Sequence, residues 1–247
     1  MGRVSMVGLL VVVMVFAAVV ANADVITIDG DDSDWINPES SHNDPNGDVA
    51  VPGNPPTYLP AYDIDWTYYA WDPSDGTSNF LGQTIDPITN AYGADFVEII
   101  INADNDLTTG SSNYHDAVGA DYYLTWGLDG TAGTAYGFPN VLWYKWIGDQ
   151  ATGAFQVQII DLSDIQIAWD DSGTDYSSIE VSVNPNLFGS PDDFVWGMYL
   201  DNGTTASDDA SPDLYNQRGY TPEPTTMALL PLGLAGLAAW RKRRKQD

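Results

Sequence analysis

Between residues 24 and 221 no apolar stretch recurs with a helical period, and short β-rich runs follow one another instead, each cut off by Asp, Gly, Asn, Pro or Ser. This punctuation is the tightest constraint on the fold. The runs fall at 25–28, 64–71, 79–85, 96–102, 121–126, 141–147, 155–160, 165–169, 178–183 and 194–200. Ile179-Glu180-Val181-Ser182-Val183 alternates as a strand with one wet face does. Ile99-Ile100-Ile101 does not alternate, and belongs in the middle of a sheet with both faces covered. Roughly ten strands without intervening helices predict an all-β fold: one antiparallel β-sandwich, jelly-roll or Ig-like, with long Asp/Gly/Pro-rich loops. There is no internal repeat, and no linker long enough to divide the body. The Pro/Asn/Gly-rich stretch 36–60 reads as a loop across one edge.

Composition agrees with that fold and narrows the partners. Of the 35 acids, 31 are Asp, a poor helix former and a good turn residue. Apolar residues make up 44%, enough to build a core. Cys is absent, which removes disulfides, thiolate metal sites and Cys nucleophiles. A formal net charge of −27 argues against nucleic acid as a partner.

The two ends read as addresses. Residues 1–23 have the form of a secretory signal peptide: Arg3, then an apolar run from Met6 to Val20, then small residues at Ala21 and Ala23, which place cleavage by signal peptidase before Asp24. At the other end Pro222-Glu223-Pro224 precedes an apolar run, Met227 to Trp240, and the cluster Arg241-Lys242-Arg243-Arg244-Lys245. As a helix, 225–240 would span ~24 Å at ~1.5 Å per residue, short of a ~30 Å hydrocarbon core. The basic cluster would hold the tail on the cytoplasmic side of a membrane. These three elements in this order, over 222–247, closely resemble the PEP-CTERM sorting signal of bacteria that have an exosortase. The resemblance implies that Pro222, Glu223 and Pro224 mark the processing region. It also implies transient inner-membrane attachment through the apolar segment, then release to the cell surface or extracellular matrix. A permanent single-span anchor is the alternative. Without both ends, the body 24–221 holds 33 acids against Lys145 and Arg218, a formal charge of −31.

Such a body repels itself, and bound cations would relieve it. Asp104-Asn105-Asp106-Leu107-Thr108-Thr109-Gly110 follows directly on the Ile99–Ile101 run, with two carboxylates two residues apart in a turn. It is not an EF-hand: Thr109 stands where that loop needs Gly, and His115 where it needs Glu. Oxygen donors favour Ca²⁺ over zinc, since His42 and His115 are the only nitrogen ligands. An Asx-rich turn without metal is the other reading. Asp44-Pro45-Asn46-Gly47-Asp48 offers the spacing of a second oxygen site, with Asp63 as an additional ligand.

Ile28-Asp29-Gly30-Asp31-Asp32-Ser33-Asp34-Trp35, then Tyr62-Asp63-Ile64, Asn102 to Asp106 with Thr109-Gly110, Gly119-Ala120-Asp121-Tyr122, and Asp209-Ala210-Ser211-Pro212-Asp213 occur in this order. Together they resemble family 9 carbohydrate-binding modules and their DOMON-like relatives. The resemblance implies a calcium-bearing sandwich with Asp104, Asp106 and Asp121 as first-choice ligands, Asp29 as a turn residue and Trp35 as a core plug.

The body holds eight Trp, and aromatic faces stack on the C–H faces of sugars. Trp66 and Trp71, or Trp143 and Trp146, are the candidates for carbohydrate contact. Trp143 and Trp146 are three apart in one run and must face opposite sides of a sheet. No nucleophile elbow, phosphate loop, zinc motif or dinucleotide turn occurs. The sequence therefore predicts an exported, non-catalytic surface or matrix protein, stabilised by Ca²⁺ and associated with exopolysaccharide or another glycan. A purely structural matrix protein and a polysaccharide hydrolase are the alternatives.

Overall fold

The computed structural model describes residues 26–36, 38–43, 63–88, 96–112, 114, 118–128, 137–138, 140–170, 175–191 and 193–201, together with the backbone of 50–51, 57–58, 207–209 and 217–219. Residues Val25–Thr221 form one compact unit. The signal-peptide residues Ala21 and Ala23, the acids Asp44 and Asp48, His115 and the whole sorting segment 222–247 lie outside the described residues. Among the described residues no helix is long and apolar enough to cross a membrane.

The strands in chain order are β1 (Ser40–Asn43), β2 (Ala50–Val51), β3 (Thr57–Tyr58), β4 (Ile64–Asp72), β5 (Thr77–Thr84), β6 (Phe96–Asn102) and β7 (Tyr122–Gly127). They continue with β8 (Leu142–Ile147), β9 (Ala154–Gln158), β10 (Ile165–Trp169), β11 (Ser178–Val183), β12 (Phe194–Asp201), β13 (Ser207–Asp209) and β14 (Gln217–Gly219). A five-stranded antiparallel sheet runs β1-β4-β5-β11-β10. A larger antiparallel sheet runs β13-β12-β6-β7-β8-β9, with β14 also on β12, while β2 and β3 pair apart. The stretch expected as a loop across an edge supplies β1, which closes the five-stranded sheet against β4.

Every second residue of each sheet points into one shared core, as the period of two requires. Ile179, Val181 and Val183 from the smaller sheet meet Val97, Ile99, Ile101, Leu124 and Trp126 from the larger. Aromatic pairs cross the gap: Phe80 meets Trp196 edge-on at 4.8 Å between ring centroids, and Tyr69 meets Phe194 at 5.5 Å. Each such pair adds about 0.5–1.5 kcal/mol beyond burial of its area. Gly82 on β5 leaves the space that the Met198 thioether fills from β12, since a Cβ there would collide with the sulfur. The strand β6 is central, and all three of its isoleucines are fully buried.

Two expectations need correction. Residues 26–28, the described part of the run expected at 25–28, are not a strand. The Thr27 amide donates to Asp34 Oδ2, and those of Asp29 and Gly30 to Glu180 Oε2, so carboxylates take the N–H groups that a ladder would have used. The alternation in β11 is real but its polar face is dry. Ile26, Ile28 and Trp35 form a second apolar cluster with Ala70, Leu81 and Ala168 on the outer side of the five-stranded sheet. That cover encloses Glu180, Ser178 and Ser182.

Candidate functional site

On the outer side of the larger sheet, β6 presents Phe96, Glu98 and Ile100, while β7 presents Tyr123, Thr125 and Gly127. The register fixes this, because Glu98 lies opposite Thr125, Ile100 opposite Tyr123 and Phe96 opposite Gly127. On the next strand Tyr144 lies opposite Tyr123 and Leu142 opposite Thr125. Small residues in the middle strand between larger ones on both neighbours leave a channel. It has a volume of about 230 Å³, with Thr125 and Gly127 on its floor, Phe96 and Glu98 along one wall and Leu142 and Tyr144 along the other.

A block of rings closes one end. Tyr123 stacks on Tyr144 at 4.2 Å with 13° between planes, and on Tyr114 at 4.6 Å. Phe155 of β9 meets Tyr114 and Tyr123 edge-on, each at 4.8 Å. On the other side Phe96 lies 6.2 Å from Tyr199. The Tyr114 hydroxyl donates to both oxygens of Glu98, at 3.1 and 3.0 Å. Burial, and then the Glu98 charge, push the Tyr114 hydroxyl well above the usual phenol range. Burial does the same to Tyr123. Both remain hydrogen-bond donors at any working pH. Glu98 is 5% exposed, and its carboxylate accepts from the Tyr114 phenol. Lys145 is on the opposite side of β8, with its Nζ 5.3 Å from the centre of the Tyr122 ring.

The sequence-expected residues are scattered around this groove. Trp143 is buried in the core, stacked against Tyr122, and has no free face for a ligand. Trp146 is on the other side of its strand, as the spacing required, and packs on Gly153 and edge-on against Phe155, next to the aromatic block. Trp66 and Tyr68 stack at 6.0 Å on the outer side of the five-stranded sheet, and Trp71 is half-buried on β4. The four tryptophans thus do not converge. Sequence reasoning passed over Phe96, Glu98, Tyr114, Tyr123 and Tyr144. The signal present in the chain was a lone carboxylate in the apolar run Phe96-Val97-Glu98-Ile99-Ile100-Ile101, and the small residues alternating with large ones in Tyr123-Leu124-Thr125-Trp126-Gly127.

The acidic turn after β6 is built as expected locally. Asp104 Oδ1 accepts from the Asp106 amide at 2.9 Å and its carboxylate from the Thr109 hydroxyl, while Asp106 Oδ1 accepts from the Thr108 amide and hydroxyl at 2.8 and 2.7 Å. Asp121 Oδ2 accepts from the Ala103 amide at 2.9 Å. Burial pushes Asp121 up to about 6, opposed by the Ala103 N–H and reinforced by the neighbouring Asp104 charge. Asp106 turns into its own hydrogen bonds with Thr108, which hold it below the usual carboxylate range. Asp63 is buried at the start of β4, in the other sheet. Among the described residues no three His, Asp or Glu side chains are grouped so as to hold a metal ion, and Asp104, Asp106 and Asp121 do not form one ligand set.

Residues 221–244 match the PEP-CTERM protein-sorting motif. The C-terminus is therefore a sorting signal. The motif marks an exported, membrane-transiting bacterial protein. No curated protein matches the chain. Among solved structures the chain is similar to a carbohydrate binding module of family 9 from Caldicellulosiruptor kristjanssonii, in complex with cellotriose. The identity is 13%, the coverage 76% of this chain and 83% of that one, and the TM-score 0.38.

Proposed function

We propose that this exported chain is a non-catalytic glycan-binding protein of the bacterial surface or extracellular matrix, and that the groove across β6, β7 and β8 is its binding site. The observation that carries the proposal is the lining of that groove. Tyr144, Phe96 and Leu142 offer apolar and aromatic surface for the C–H face of a sugar, and Glu98 and Thr125 offer oxygens to its hydroxyls. The volume of about 230 Å³ is below the roughly 300–1,000 Å³ of drug-sized sites, which suits one or two rings rather than a long segment of polymer. Among the described residues lining the groove, Glu98 is the one carboxylate. Glycoside hydrolysis by the common mechanisms needs two, which favours binding over turnover. In this proposal signal peptidase and an exosortase process the two ends, at Ala23 and near Pro222-Glu223-Pro224.

The test is calorimetric titration of the purified protein with neutral oligosaccharides, beside two variants. Tyr144→Ala removes a wall, and Thr125→Leu fills the channel without removing a packed ring. Either change is expected to weaken binding at least tenfold while the melting temperature of Thr125→Leu stays within a few degrees. Binding that survives both would place the sugar elsewhere, and no binding to any glycan would leave the structural matrix role. Calcium is proposed on the charge of the body and on the nearness of Asp104 to Asp121.

A further inference from the structure

The outer side of the five-stranded sheet carries a second ring-lined surface. Trp66 and Tyr68, half-buried on β4, stack there 6.0 Å apart with 17° between planes, and Tyr68 packs against the cluster under the strap. The register sets Asn43 of β1 and Gln83 of β5 on either side of Trp66, so that amides flank the ring pair. The strap brings Asp32 against Gln83: Asp32 Oδ2 accepts from the Gln83 amide and, at 2.8 Å, from the Tyr176 hydroxyl. Tyr176 is 39% exposed and offers a third ring. Burial, then the Asp32 and Asp65 charges, push the Tyr68 hydroxyl up. The hydrogen bond to Asp32, then burial and the Asp32 charge, push Tyr176 up to about 12, so Asp32 lies close to both tyrosines. This repeats the arrangement in the groove. In each place a stacked ring pair on the outward side of a sheet stands near a carboxylate that accepts from a tyrosine hydroxyl, Tyr114 on Glu98 there and Tyr176 on Asp32 here. The two surfaces belong to different sheets and face away from each other across a core about 10 Å thick.

We propose that this surface is a second glycan site and that the protein bridges two polymer chains, one on each side of the sandwich; the proposal rests on the glycan-binding groove described above. The rings take the C–H face of a sugar, and the Asn43 and Gln83 amide oxygens with the Asp32 carboxylate accept from its hydroxyls. A second copy of this chain is the poorer occupant, because each body carries −31. As an open face the surface encloses less of a sugar ring than the walled groove, so it holds a short oligosaccharide more weakly. A polymer held at the groove of one molecule and at this face of another raises the effective concentration at both. A protein with one site decorates a polymer, whereas two opposed sites cross-link it.

Calorimetric titration of the full chain at 150 mM NaCl uses the neutral trimers of β-1,4-glucose, β-1,3-glucose and β-1,4-mannose. Light scattering then follows mixtures with hydroxyethyl cellulose, laminarin or galactomannan, the soluble polymer of the same backbone. The wild type is expected to take two trimers of one kind per chain, the second at least tenfold more weakly than the first. Thr125→Leu should keep only the weak event. Trp66→Ala, or the replacement of the exposed ring in Tyr176→Ala, should keep only the tight one, with melting temperatures within a few degrees of the wild type. With polymer, scattering should rise to a maximum and fall again as protein is added, since excess protein occupies each chain singly. Each single-site variant should scatter at least tenfold less. One trimer per chain, lost in Thr125→Leu, would overturn the second site and leave the groove standing. Scattering that persists in both Trp66→Ala and Tyr176→Ala would overturn bridging through this surface. Binding unchanged in Thr125→Leu but lost in Trp66→Ala would overturn the groove and the two-site reading together, as would absence of binding by all three trimers.

Discussion

Glu180 shows how one side chain can organise a face of the sandwich. Fully buried on β11, its Oε2 accepts from the amides of Gly30 at 2.6 Å and Asp29 at 2.9 Å, and its Oε1 from the Trp35 indole at 2.6 Å. Burial pushes its carboxyl up to about 7. The three donors oppose that, and the nearby Asp34 charge reinforces it. Because the folded value lies above the ordinary one, folding binds the proton. The contribution is fully present below about 4.5 and is lost as pH rises from there to about 7. Relative to Glu180→Gln, the wild type should therefore lose on the order of 2–3 kcal/mol of stability over that window, read as urea midpoints at pH 4.5, 5.5 and 7. A constant difference between the two proteins would show that Glu180 does not titrate there. The same residue marks where sequence reading stopped. Its place in an alternating run was legible, but the strap that dries it comes from 150 residues away in the chain. Glu98 was missed for a related reason: a lone acid in an apolar strand gains meaning only from the strands beside it.

Elements were legible where their own residues decided them. The runs at 64–71, 96–102 and 194–200 carry enough β-branched and aromatic residues to be strands in any context. The Trp143/Trp146 parity followed from the pleat alone. By contrast Ser40-Ser41-His42-Asn43 has no apolar alternation and becomes β1 only because β4 offers it an edge. The segment 25–28 is apolar enough for a strand, but its described residues 26–28 are carried as a strap. Gly30 permits that strap, with φ of +91° and with its α-carbon so close to β10 that an added Cβ would stand 2.8 Å from the Trp169 carbonyl carbon. Gly30→Ala should lower stability by more than the roughly 1 kcal/mol of an ordinary glycine replacement, and should raise hydrogen exchange across β11 before the rest of the sheet. Gly82→Val tests the other face. It would force Met198 out of the gap between the sheets at a cost of about 1–3 kcal/mol, seen as a lower urea midpoint with an unchanged slope.

For the whole molecule the governing quantity is the body charge of −31. Raising NaCl from 10 to 500 mM shortens the Debye length from about 30 Å to under 10 Å and should raise the melting temperature by several degrees. At fixed ionic strength, millimolar CaCl₂ should add a further increase that chelator removes if Ca²⁺ is bound at Asp104 and Asp121. An increase with NaCl and none with CaCl₂ would assign the effect to screening alone. Charge was readable from the sequence to the unit, whereas its arrangement, with Glu98 against an aromatic groove and Glu180 under a strap, required the fold.

The strand β9 ends the larger sheet among the described strands. It reads Ala154-Phe155-Gln156-Val157-Gln158, with no charge and no proline, and Val157 and Ile159 stand 54% and 102% exposed beside it. Natural edges are usually guarded by Lys, Pro or a bulge, and this one has none of them. Repulsion between copies that each carry the same large negative charge opposes edge-to-edge pairing. Acid pH or high salt, which lower or screen that charge, would weaken the repulsion and favour pairing of β9 between copies.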